Sequence, residues 1–306
     1  MDAAKYIWMN GEFVAWEDAK VHVLSHTLHY GNGVIEGTKA YKTQKGYAIF
    51  RLNEHTARLK ESAKMTLIDI PYTIEEMNQA QIDLLKKNEF TGDNVYIRPF
   101  AFLGYGVMGV YHKDAPVETV MSAWEWGAYL GEEGMRKGIK LKIASMTRPA
   151  NTSNMGKAKA TANYLNSQMA KYEAIDCGYD EALLLDDQGY VAEASGASFF
   201  MVVDKKLISP PSDNALVSIT QKTVIEIAQN MGIEVERRRI TREELYIADE
   251  AFLTGTAAEI TPVRIIDARE IGSGSRGEIT EKIQSTYFDI VFGRNKEYEH
   301  YLTYID

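Results

Sequence analysis

Cysteine is almost absent from this chain. Among its 306 residues, Cys177 is the single cysteine. Because a disulfide needs two thiols, no disulfide can form within the chain, and a cysteine-rich metal site is excluded as well. We therefore expect a protein that works in a reducing compartment.

Long apolar runs are missing too. No run in the sequence approaches the roughly 20 apolar residues that a helix needs to cross a bilayer. The first residues, MDAAKYIWMNGEF, lack the apolar core of a signal peptide. These features predict a cytoplasmic protein that has no membrane partner.

The chain has no excess of positive charge. It carries 34 Lys and Arg against 43 Asp and Glu, which gives a net charge of -9. A protein that binds the phosphate backbone of a nucleic acid usually shows a basic face, so we expect no nucleic-acid partner. A local basic site for a small anion stays open.

Length and composition indicate a globular protein of about two domains. At roughly 100–200 residues per domain, 306 residues suggest two. Four glycines interrupt residues 127–138, GAYLGEEGMRKG, which is typical of a connecting loop. We predict a smaller N-terminal α/β domain over 1–126, a linker loop over 127–139 and a larger C-terminal domain over 140–306.

The pattern of elements mixes strands and helices without strict alternation. Asn10-Gly11 in YIWMNGEFVAW predicts a β-hairpin with a type I′ turn. Asn53 is a suitable N-cap for a helix that runs to about Leu67, and another helix is predicted over 159–176. This mixture predicts α+β, or α/β with mixed sheets and flanking helices, rather than a doubly wound fold.

Two short motifs invite functional interpretations that their context opposes. Residues 104–109, GYGVMG, match G-x-G-x-x-G, but a dinucleotide site needs a helix directly afterwards, and VYHKDAP follows instead. We expect a glycine-rich loop beside a binding cleft. His22, His26 and His29 have a spacing that could gather a metal on a helix, but their segment is short and has no acidic ligand. We predict no metal site.

Lysines 157 and 159 lie in NMGKAKATANYL, which is predicted to open a helix. Most lysines are solvated surface residues, whereas burial and suitable neighbours turn a lysine into a nucleophile. Asn163 lies one helical turn beyond Lys159, and Tyr164 follows it with a phenol that could bond a ring oxygen of a cofactor. Glu193 lies in an otherwise apolar stretch, where a buried carboxylate needs a partner such as a protonated pyridine nitrogen. A glutamate that faces water at a strand end is the alternative.

Three further segments could hold an anion. Ser218-Ile219-Thr220-Gln221 opens a helix, whose free N–H groups attract anions, although ordinary N-capping is commoner. Gly255-Thr256-Ala257-Ala258 follows a strand, and its small residues let a ligand approach the backbone. Arg58 is either a helix-surface arginine or the permanent cation that a phosphate needs.

Together these segments resemble one family. The segments that carry the resemblance are HYGNGVIEG (29–37), VYIRP (95–99), GVMGV (106–110), WGAYL (126–130), KATANYL (159–165), LYIADE (245–250) and GTAAEITPVR (255–264). In order and spacing they are similar to branched-chain amino-acid aminotransferases of the fold-type IV group, which use pyridoxal 5'-phosphate (PLP). The resemblance covers nearly the whole chain. It implies a two-domain fold like that of D-amino-acid aminotransferase.

The resemblance also implies how PLP is held. Lys159, four residues before Asn-Tyr, would carry the cofactor, and Lys157 has no such role. The implied phosphate ligands are Arg58, Thr256 and the N–H groups of Ile219 and Thr220. The implied ring contacts are Tyr164 at the phenolic oxygen, Glu193 at the pyridine nitrogen and Leu216 on the ring face.

A second set of residues would meet the substrate. The implied contacts are Tyr96 with the N–H groups of Thr256 and Ala257 or Ala258 at the α-carboxylate, Trp126, Tyr129 and Tyr164 as an apolar wall, and Tyr30 and Val110 entering the pocket. Val110 would come from a partner subunit, which implies a homodimer or larger homo-oligomer. Ile35 stands where the family usually has an aromatic residue, so the wall is expected to be reshaped. Arg98 is the cation that could bind a second carboxylate.

The implied activity is reversible transamination of branched-chain L-amino acids with 2-oxoglutarate. Four alternatives stay open from the sequence. Three are enzymes: a D-amino-acid or (R)-amine transaminase of the same group, a lyase of that group, and a nicotinamide-dependent oxidoreductase that uses GYGVMG. The fourth is a binding protein without catalysis.

Overall fold

The computed structural model describes residues 4–305. The strands are β1 Tyr6–Met9, β2 Glu12–Ala15, β3 Gly33–Ile35, β4 Thr38–Thr43, β5 Gly46–Phe50, β6 Asn94–Leu103, β7 Val117–Glu125, β8 Ile139–Ile143, β9 Glu181–Leu185, β10 Val191–Ala194, β11 Ser198–Val203, β12 Lys206–Ser209, β13 Val235–Arg237, β14 Glu250–Gly255, β15 Glu259–Ile266, β16 Arg269–Glu270 and β17 Leu302–Tyr304. The helices are α1 His26–Tyr30, α2 Leu52–Met65, α3 Ile74–Asn88, α4 Glu132–Lys137, α5 Tyr164–Asp176, α6 Ile219–Asn230, α7 Arg242–Leu245 and α8 Glu278–Val291, with 3-10 turns at Trp16–Asp18, Thr161–Asn163 and Lys296–Tyr301.

The chain divides into two compact units. The N-terminal unit comprises Met1–Gly127, Ala158–Ala162 and Ile290–Asp306. The C-terminal unit comprises Ala128–Lys157 and Asn163–Asp289. Lys159 therefore belongs to a short segment of the N-terminal unit that is flanked on both sides by chain of the other unit.

The N-terminal unit is built on an antiparallel sheet. Its strand order is β17-β5-β4-β6-β7-β1-β2, and β3 pairs with β6 beside β4. The helices α2 and α3 supply Leu59 and Met77 to a core that also takes Ile97 of β6, and all three side chains are fully buried. Ala158 and Ala160 belong to the same core, so the segment that carries Lys159 is anchored on both sides of the lysine.

The C-terminal unit is built on a mixed sheet. Its order is β10-β9-β8-β15-β14-β11-β12-β13, with β16 on β15. The β8–β9, β8–β15 and β12–β13 pairs are parallel, and the other pairs are antiparallel. The predicted class, α/β with mixed sheets and flanking helices, is therefore confirmed.

Local signals predicted some element ends correctly and others wrongly. The hairpin β1–β2 turns at Asn10 and Gly11, and both have positive φ, as a type I′ turn requires. Asn53 as an N-cap is wrong, since α2 begins at Leu52 and its cap is Arg51 in the left-handed region. The N–H of Arg51 donates to the carbonyl of Tyr301 at 2.7 Å, a long-range contact that fixes where the helix starts.

The predicted helix over 159–176 is wrong at its start. A 3-10 turn occupies Thr161–Asn163, and α5 begins only at Tyr164. Ala160 instead forms a β-bridge with Val34, which holds the backbone before it in a non-helical conformation. Lys159 therefore lies in an irregular segment.

The two units differ from the predicted domain boundaries in two places. The segment predicted as a linker over 127–139 contains α4 and joins the C-terminal unit from residue 128 onward. Residues 290–306 join the N-terminal unit, because β17 pairs with β5 and the Phe292 ring packs on Tyr41 at 5.4 Å. That the units behave as separate domains stays a prediction. Among residues 4–305 no helix has the length and apolar character needed to span a membrane.

Candidate functional site

Lys159 is half-buried, and its backbone is fixed on both sides. Its N–H donates to Ser62 Oγ at 3.1 Å, and its carbonyl accepts the N–H of Ile35 at 3.0 Å. Lys157, two residues earlier, is exposed. The structure thus gives the two lysines different environments, and of the two only Lys159 is partly shielded from water.

One face of α2 gathers charged groups close to this lysine. Arg58 donates from Nε to Glu36 Oε1 at 2.6 Å and from Nη2 to Glu36 Oε2 at 2.9 Å. His55 Nδ1 lies 2.8 Å from the same Oε2 atom, and the Gly37 N–H donates to it at 3.2 Å. The carboxylate of Glu36 is completely buried, and the side chain of Arg58 is 11% exposed. We call Glu36, His55 and Arg58 the Glu36 cluster.

The ionisation of this cluster follows from its contacts. Burial alone would raise the pKa of Glu36, but the charge of Arg58 and the hydrogen bonds from His55 and Arg58 outweigh it and hold that pKa well below its usual range. Burial lowers the pKa of His55, and the charges of Arg58 and Lys159 lower it further against the opposing effect of Glu36. Glu36 is therefore ionised and His55 neutral at physiological pH.

Aromatic rings surround Tyr96 and Arg98 on β6. The Trp126 ring meets the Tyr96 ring edge-on at 4.9 Å, and the Trp124 ring lies 5.1 Å from it. Arg98 Nη2 donates to the Tyr96 hydroxyl at 3.1 Å, and its guanidinium lies over the Tyr96 ring at 5.3 Å. Among residues 4–305, Arg98 makes no ion pair and its buried Nε has no hydrogen-bond acceptor. An ion pair that braces the sheet through Arg98 is thus not observed.

The segment between β3 and β4 passes directly under Tyr96. A Cβ on Gly37 would lie 2.0 Å from the Tyr96 hydroxyl oxygen, so only glycine allows this tyrosine its position. Ile35, two residues earlier, is half-buried and is bonded to the backbone of Lys159. The segment 35–37 therefore contacts Lys159, Arg58 and Tyr96 in turn.

Tyr30 and Val110 lie together on an exposed part of the N-terminal unit. The hydroxyl of Tyr30 accepts the N–H of Gly109 at 3.0 Å, and Tyr30 is 42% exposed. Val110 is 89% exposed. Because the two residues are neighbours within one chain, one protomer presents both.

In the C-terminal unit, Glu193 projects from β10 with its side chain 12% exposed. Arg148 Nη2 lies 2.9 Å from Glu193 Oε1, and the Arg148 side chain is 7% exposed. The carboxylate therefore has a buried cationic partner within its own unit, and the alternative of a glutamate facing water does not hold. Arg148 Nε is also buried and, in the part of the chain that the structure describes, has no acceptor.

The start of α6 has the geometry of an anion site. Ser218 is its N-cap and accepts the N–H of Gln221 at 3.1 Å. The N–H groups of Ile219 and Thr220, in the first turn, have no acceptor within the helix and point along its axis. Both residues are buried, and Leu216, just before the cap, is half-buried. The N-cap uses the N–H of Gln221 and leaves those of Ile219 and Thr220 available. The anion site at this helix start stays a prediction.

The remaining predicted residues of the C-terminal unit lie on turns or at an element end. Thr256, Ala257 and Ala258 form the turn between β14 and β15, which closes as Thr254 Oγ1 donates to the carbonyl of Glu259 at 2.8 Å. Tyr164 is the first residue of α5 and is half-buried. Tyr129 is 41% exposed, and Lys171 Nζ lies over its ring at 5.8 Å.

The glycine-rich run 104–109 does not form a dinucleotide site. Residues 104–116, all within the described part of the chain, contain no helix between β6 and β7. Without a helix N-terminus the pyrophosphate of a dinucleotide has no anchor. The use of GYGVMG by a nicotinamide-dependent oxidoreductase is therefore not favoured. The histidines that precede this loop serve structural contacts, as His26 Nε2 lies 2.8 Å from the Gly109 carbonyl.

Sequence reasoning missed Glu36, His55, Ser62 and Arg148. A signal existed for the first two: Glu36 follows an apolar run, and His55 and Arg58 are three residues apart, which puts them on one helix face. Neither Ser62 nor Arg148 carries a local signal, since only tertiary contacts bring them to Lys159 and Glu193.

The chain matches a family model and several known proteins. Residues 33–266 match the sequence model of the amino-transferase class IV family. The chain is 46% identical over 299 residues to a branched-chain-amino-acid aminotransferase of Pseudomonas aeruginosa, covering 98% of this chain and 97% of that protein. It is 43% identical over 296 residues to one of Escherichia coli strain K12, covering 96% and 95%.

A solved structure also matches the chain over its full length. The crystal structure of the branched-chain amino acid aminotransferase from Thermobaculum terrenum in its PLP-form matches with a TM-score of 0.94 and 37% identity, and the match covers 100% of each chain. These matches have 37% to 46% identity over nearly the whole chain, which is enough to show the family. The chain belongs to the class IV aminotransferase family.

Proposed function

We propose that this protein is a PLP-dependent branched-chain aminotransferase, which transfers the amino group of L-leucine, L-isoleucine or L-valine to 2-oxoglutarate. The observation that carries the proposal is the environment of Lys159, half-buried and fixed by Ser62 and Ile35 in a chain whose full-length relatives bear this name. The predicted cytoplasmic location stays a prediction.

The residues present fit PLP chemically. The N-terminal unit offers an amine at Lys159 and a guanidinium at Arg58, whose orientation is fixed by two hydrogen bonds to Glu36. The C-terminal unit offers a buried carboxylate at Glu193 and the open N-terminus of α6. An aldehyde, a phosphate and a pyridine nitrogen are the groups that such a donor set binds.

We assign each donor one part of the cofactor. Lys159 binds it covalently through its amine. Arg58, Thr256 and the N–H groups of Ile219 and Thr220 hold the phosphate, the last two through the dipole of α6. Tyr164 donates to the phenolic oxygen, and Leu216 packs on the ring.

The protein's part in the chemistry is proton transfer and charge stabilisation. When bound, PLP supplies an aldehyde that exchanges with the substrate amino group and a ring that accepts electrons from Cα. Lys159, freed when the amino acid takes its place, would take the proton from Cα as a general base and deliver it to the C4′ carbon of the cofactor as an acid. Glu193 would pair with the pyridine nitrogen and keep it protonated, while Arg148 Nη2, 2.9 Å from Glu193 Oε1, holds the carboxylate in place.

The aromatic cluster on β6 serves the substrate. Tyr96 binds the α-carboxylate together with the N–H groups of Thr256 and of Ala257 or Ala258. Trp126, Tyr129 and Tyr164 wall the apolar side chain. Ile35 is smaller than an aromatic ring, so the pocket is wider beside it. Arg98 binds the second carboxylate of 2-oxoglutarate and glutamate, because its buried Nε has no other acceptor in residues 4–305.

A homodimer completes the pocket. A groove of about 430 Å³, lined by apolar side chains such as Val21, Leu28 and Phe102, lies on the N-terminal unit. Leu28 and Gly31 of its lining are close neighbours of Tyr30 in the sequence, and both Tyr30 and Val110 are exposed. An exposed apolar surface of this kind is typical of a protein interface, and a second copy of this chain would bring Tyr30 and Val110 to its partner's pocket.

Sedimentation velocity tests the dimer. A dimer that Val110→Glu or Leu28→Glu weakens, with parallel loss of activity, agrees with the proposal. A fully active monomer contradicts it.

A substrate panel tests the reaction. The purified enzyme should transfer amino groups from L-leucine, L-isoleucine and L-valine to 2-oxoglutarate and give little product from D-alanine or (R)-phenylethylamine. Product mainly from D-alanine would favour a D-amino-acid transaminase of the same group. Release of pyruvate without an amino acceptor would favour a lyase.

A further inference from the structure

The Glu36 cluster contains a buried carboxylate to which neither the resemblance nor the proposed reaction gives a role. A completely buried Glu is rare, and its desolvation is offset here by four donors: Arg58 Nε, Arg58 Nη2, His55 Nδ1 and the Gly37 N–H. Replacing such a pair by apolar residues often costs no stability. A buried pair of this kind beside Lys159 therefore calls for an explanation other than stability.

The geometry points to orientation of Arg58. Its side chain bonds Glu36 through two nitrogens at once, which fixes the plane of the guanidinium as well as its position. His55 holds the carboxylate from a second direction, because its Nδ1 shares Oε2 with Arg58 Nη2. The arginine is thus held in one orientation before any ligand arrives.

The same short segment also sets the position of Lys159. Ile35 donates its N–H to the Lys159 carbonyl, and Ser62, one turn after Arg58 on α2, accepts the Lys159 N–H. Residues 35 and 36 therefore bond the backbone of the lysine and the side chain of the arginine from adjacent positions. The backbone of Lys159 and the guanidinium of Arg58 are therefore held relative to each other by residues 35–36 and by α2.

We propose that Glu36 is a positioning residue that orients Arg58 for the phosphate of the cofactor, with His55 as its support. The proposal rests on the proposed function, in which Arg58 binds the phosphate of PLP and Lys159 its aldehyde carbon. Glu36 itself touches neither. Its contribution is to keep the guanidinium in the orientation that suits a phosphate at a fixed distance from the lysine amine.

The substitution Glu36→Gln isolates this role. A glutamine has nearly the same size but carries one acceptor and one donor, so at least one of the bonds to Arg58 and His55 is replaced by two donors facing each other. Arg58 would keep its charge and lose its fixed orientation. A matched control is Glu54→Gln, which alters the 2.8 Å pair between Glu54 of α2 and Arg51, the N-cap of that helix.

The test compares two ligands on the full-length chain stripped of cofactor. PLP and pyridoxal, which lacks the phosphate, are titrated separately and followed by the absorbance of the bound ligand. We expect Glu36→Gln to weaken PLP roughly tenfold to a hundredfold, the range for loss of a charge-assisted hydrogen bond, and to leave pyridoxal binding unchanged. Glu54→Gln should change neither. Equal weakening of both ligands, or no weakening of PLP, would overturn the proposal.

A double-mutant cycle separates this inference from the proposed function. Arg58→Met alone should weaken PLP and spare pyridoxal, and Glu36→Gln added to it should cause no further loss of PLP affinity. If Arg58→Met leaves PLP binding intact, the assignment of Arg58 to the phosphate is wrong. If Arg58→Met weakens PLP but Glu36→Gln adds its full effect on top, Glu36 acts by another route and only the inference fails.

A second variant covers the case in which Glu36→Gln does not fold. Glu36→Asp keeps the negative charge beside Arg58 but is one methylene shorter, so it cannot reach both arginine nitrogens with the observed geometry. We expect a folded protein with a smaller, still phosphate-specific loss of PLP affinity. Normal PLP affinity in this variant would contradict a role in orientation.

Discussion

Arg98→Leu tests how one pocket accepts both an apolar side chain and a carboxylate. Leucine and valine need only the wall of aromatic rings, whereas 2-oxoglutarate brings a second carboxylate that an apolar pocket would leave unpaired. Because an unpaired buried anion costs several kcal/mol, the pocket needs a cation for this substrate alone. Arg98, whose neighbours are the rings of Tyr96 and Trp124, is the cation we assign.

The structure sets the size of the effect. Arg98 spends Nη2 on the Tyr96 hydroxyl at 3.1 Å and, within residues 4–305, leaves its buried Nε without an acceptor. Loss of a charge-assisted hydrogen bond costs about 1.5–3 kcal/mol, or roughly one to two orders of magnitude in kcat/KM. We expect that loss in the glutamate half-reaction and a change of less than about threefold in the leucine half-reaction, since contacts at Tyr96 alone are worth about 0.5 kcal/mol.

The assay measures the two half-reactions separately by stopped-flow absorbance of the cofactor. Arg294→Leu is the matched control, because Arg294 is exposed and lies over the Phe292 ring at 5.2 Å, and both half-reactions should be unchanged. Thermal unfolding of each variant monitors the fold. Equal losses in both half-reactions, or a large fall in stability, would mean that Arg98 supports the sheet and that the account of dual recognition is wrong.

Two further predictions concern buried ionisable groups. Glu193→Gln should keep PLP bound but slow removal of the Cα proton, because the pyridine nitrogen loses its anionic partner. Single-turnover rates measured with L-leucine deuterated at Cα should show a larger isotope effect in this variant than in the unchanged protein. An unchanged rate of proton removal would count against the role of Glu193. Glu173→Gln, which alters a pair with Lys142 in the same unit, is the control. Burial, with the charges of Arg58 and Lys159, lowers the folded-state pKa of His55, so the unfolded chain binds a proton near pH 6.5 that the folded chain does not. The free energy of unfolding should therefore fall as the pH drops below about 6.5, by at most about 1.4 kcal/mol per pH unit from this group. Urea unfolding at several pH values should show that His55→Gln loses this component and that the exposed His300→Gln keeps it; equal slopes in both would refute the assignment.

Patterns within a few residues of each other predicted local structure well. The Asn10-Gly11 turn needed only the positive φ of both residues, which adjacent residue types specify. Helix α3 begins after Thr73, whose side chain accepts the N–H of Glu76 at 3.1 Å in a capping box, another purely local device. These elements follow from the sequence because no distant contact has to form first.

The wrong predictions share a cause, which is contact with residues far along the chain. The start of α2 depends on Tyr301, and the segment around Lys159 is kept out of α5 by Val34 and Ser62. The C-terminal strand joins the N-terminal sheet through residues more than 250 positions earlier. Local propensity contains none of this information.

In the candidate site, too, local patterns could be read from the sequence and long-range contacts could not. Local patterns made Lys159, Tyr164 and Glu193 candidates beside ordinary structural alternatives, and the resemblance chose Lys159 over Lys157 and supplied the three roles. The partners that determine their charge and orientation, Glu36 and Arg148, emerged only from the packed structure. A buried carboxylate in an apolar stretch is the sequence signal that such a partner exists, but the sequence does not say which cation it will meet.

The most direct test of the account is to identify the lysine that carries the cofactor. Holoenzyme is reduced with borohydride, digested and analysed by mass spectrometry, alongside Lys157→Ala as a control. We predict that the added mass lies on Lys159 in both proteins, and that Lys157→Ala keeps most of its activity, since Lys157 is exposed and Lys159 is held by Ser62 and Ile35. Labelling of Lys157 with Lys159 unmodified would contradict the central claim.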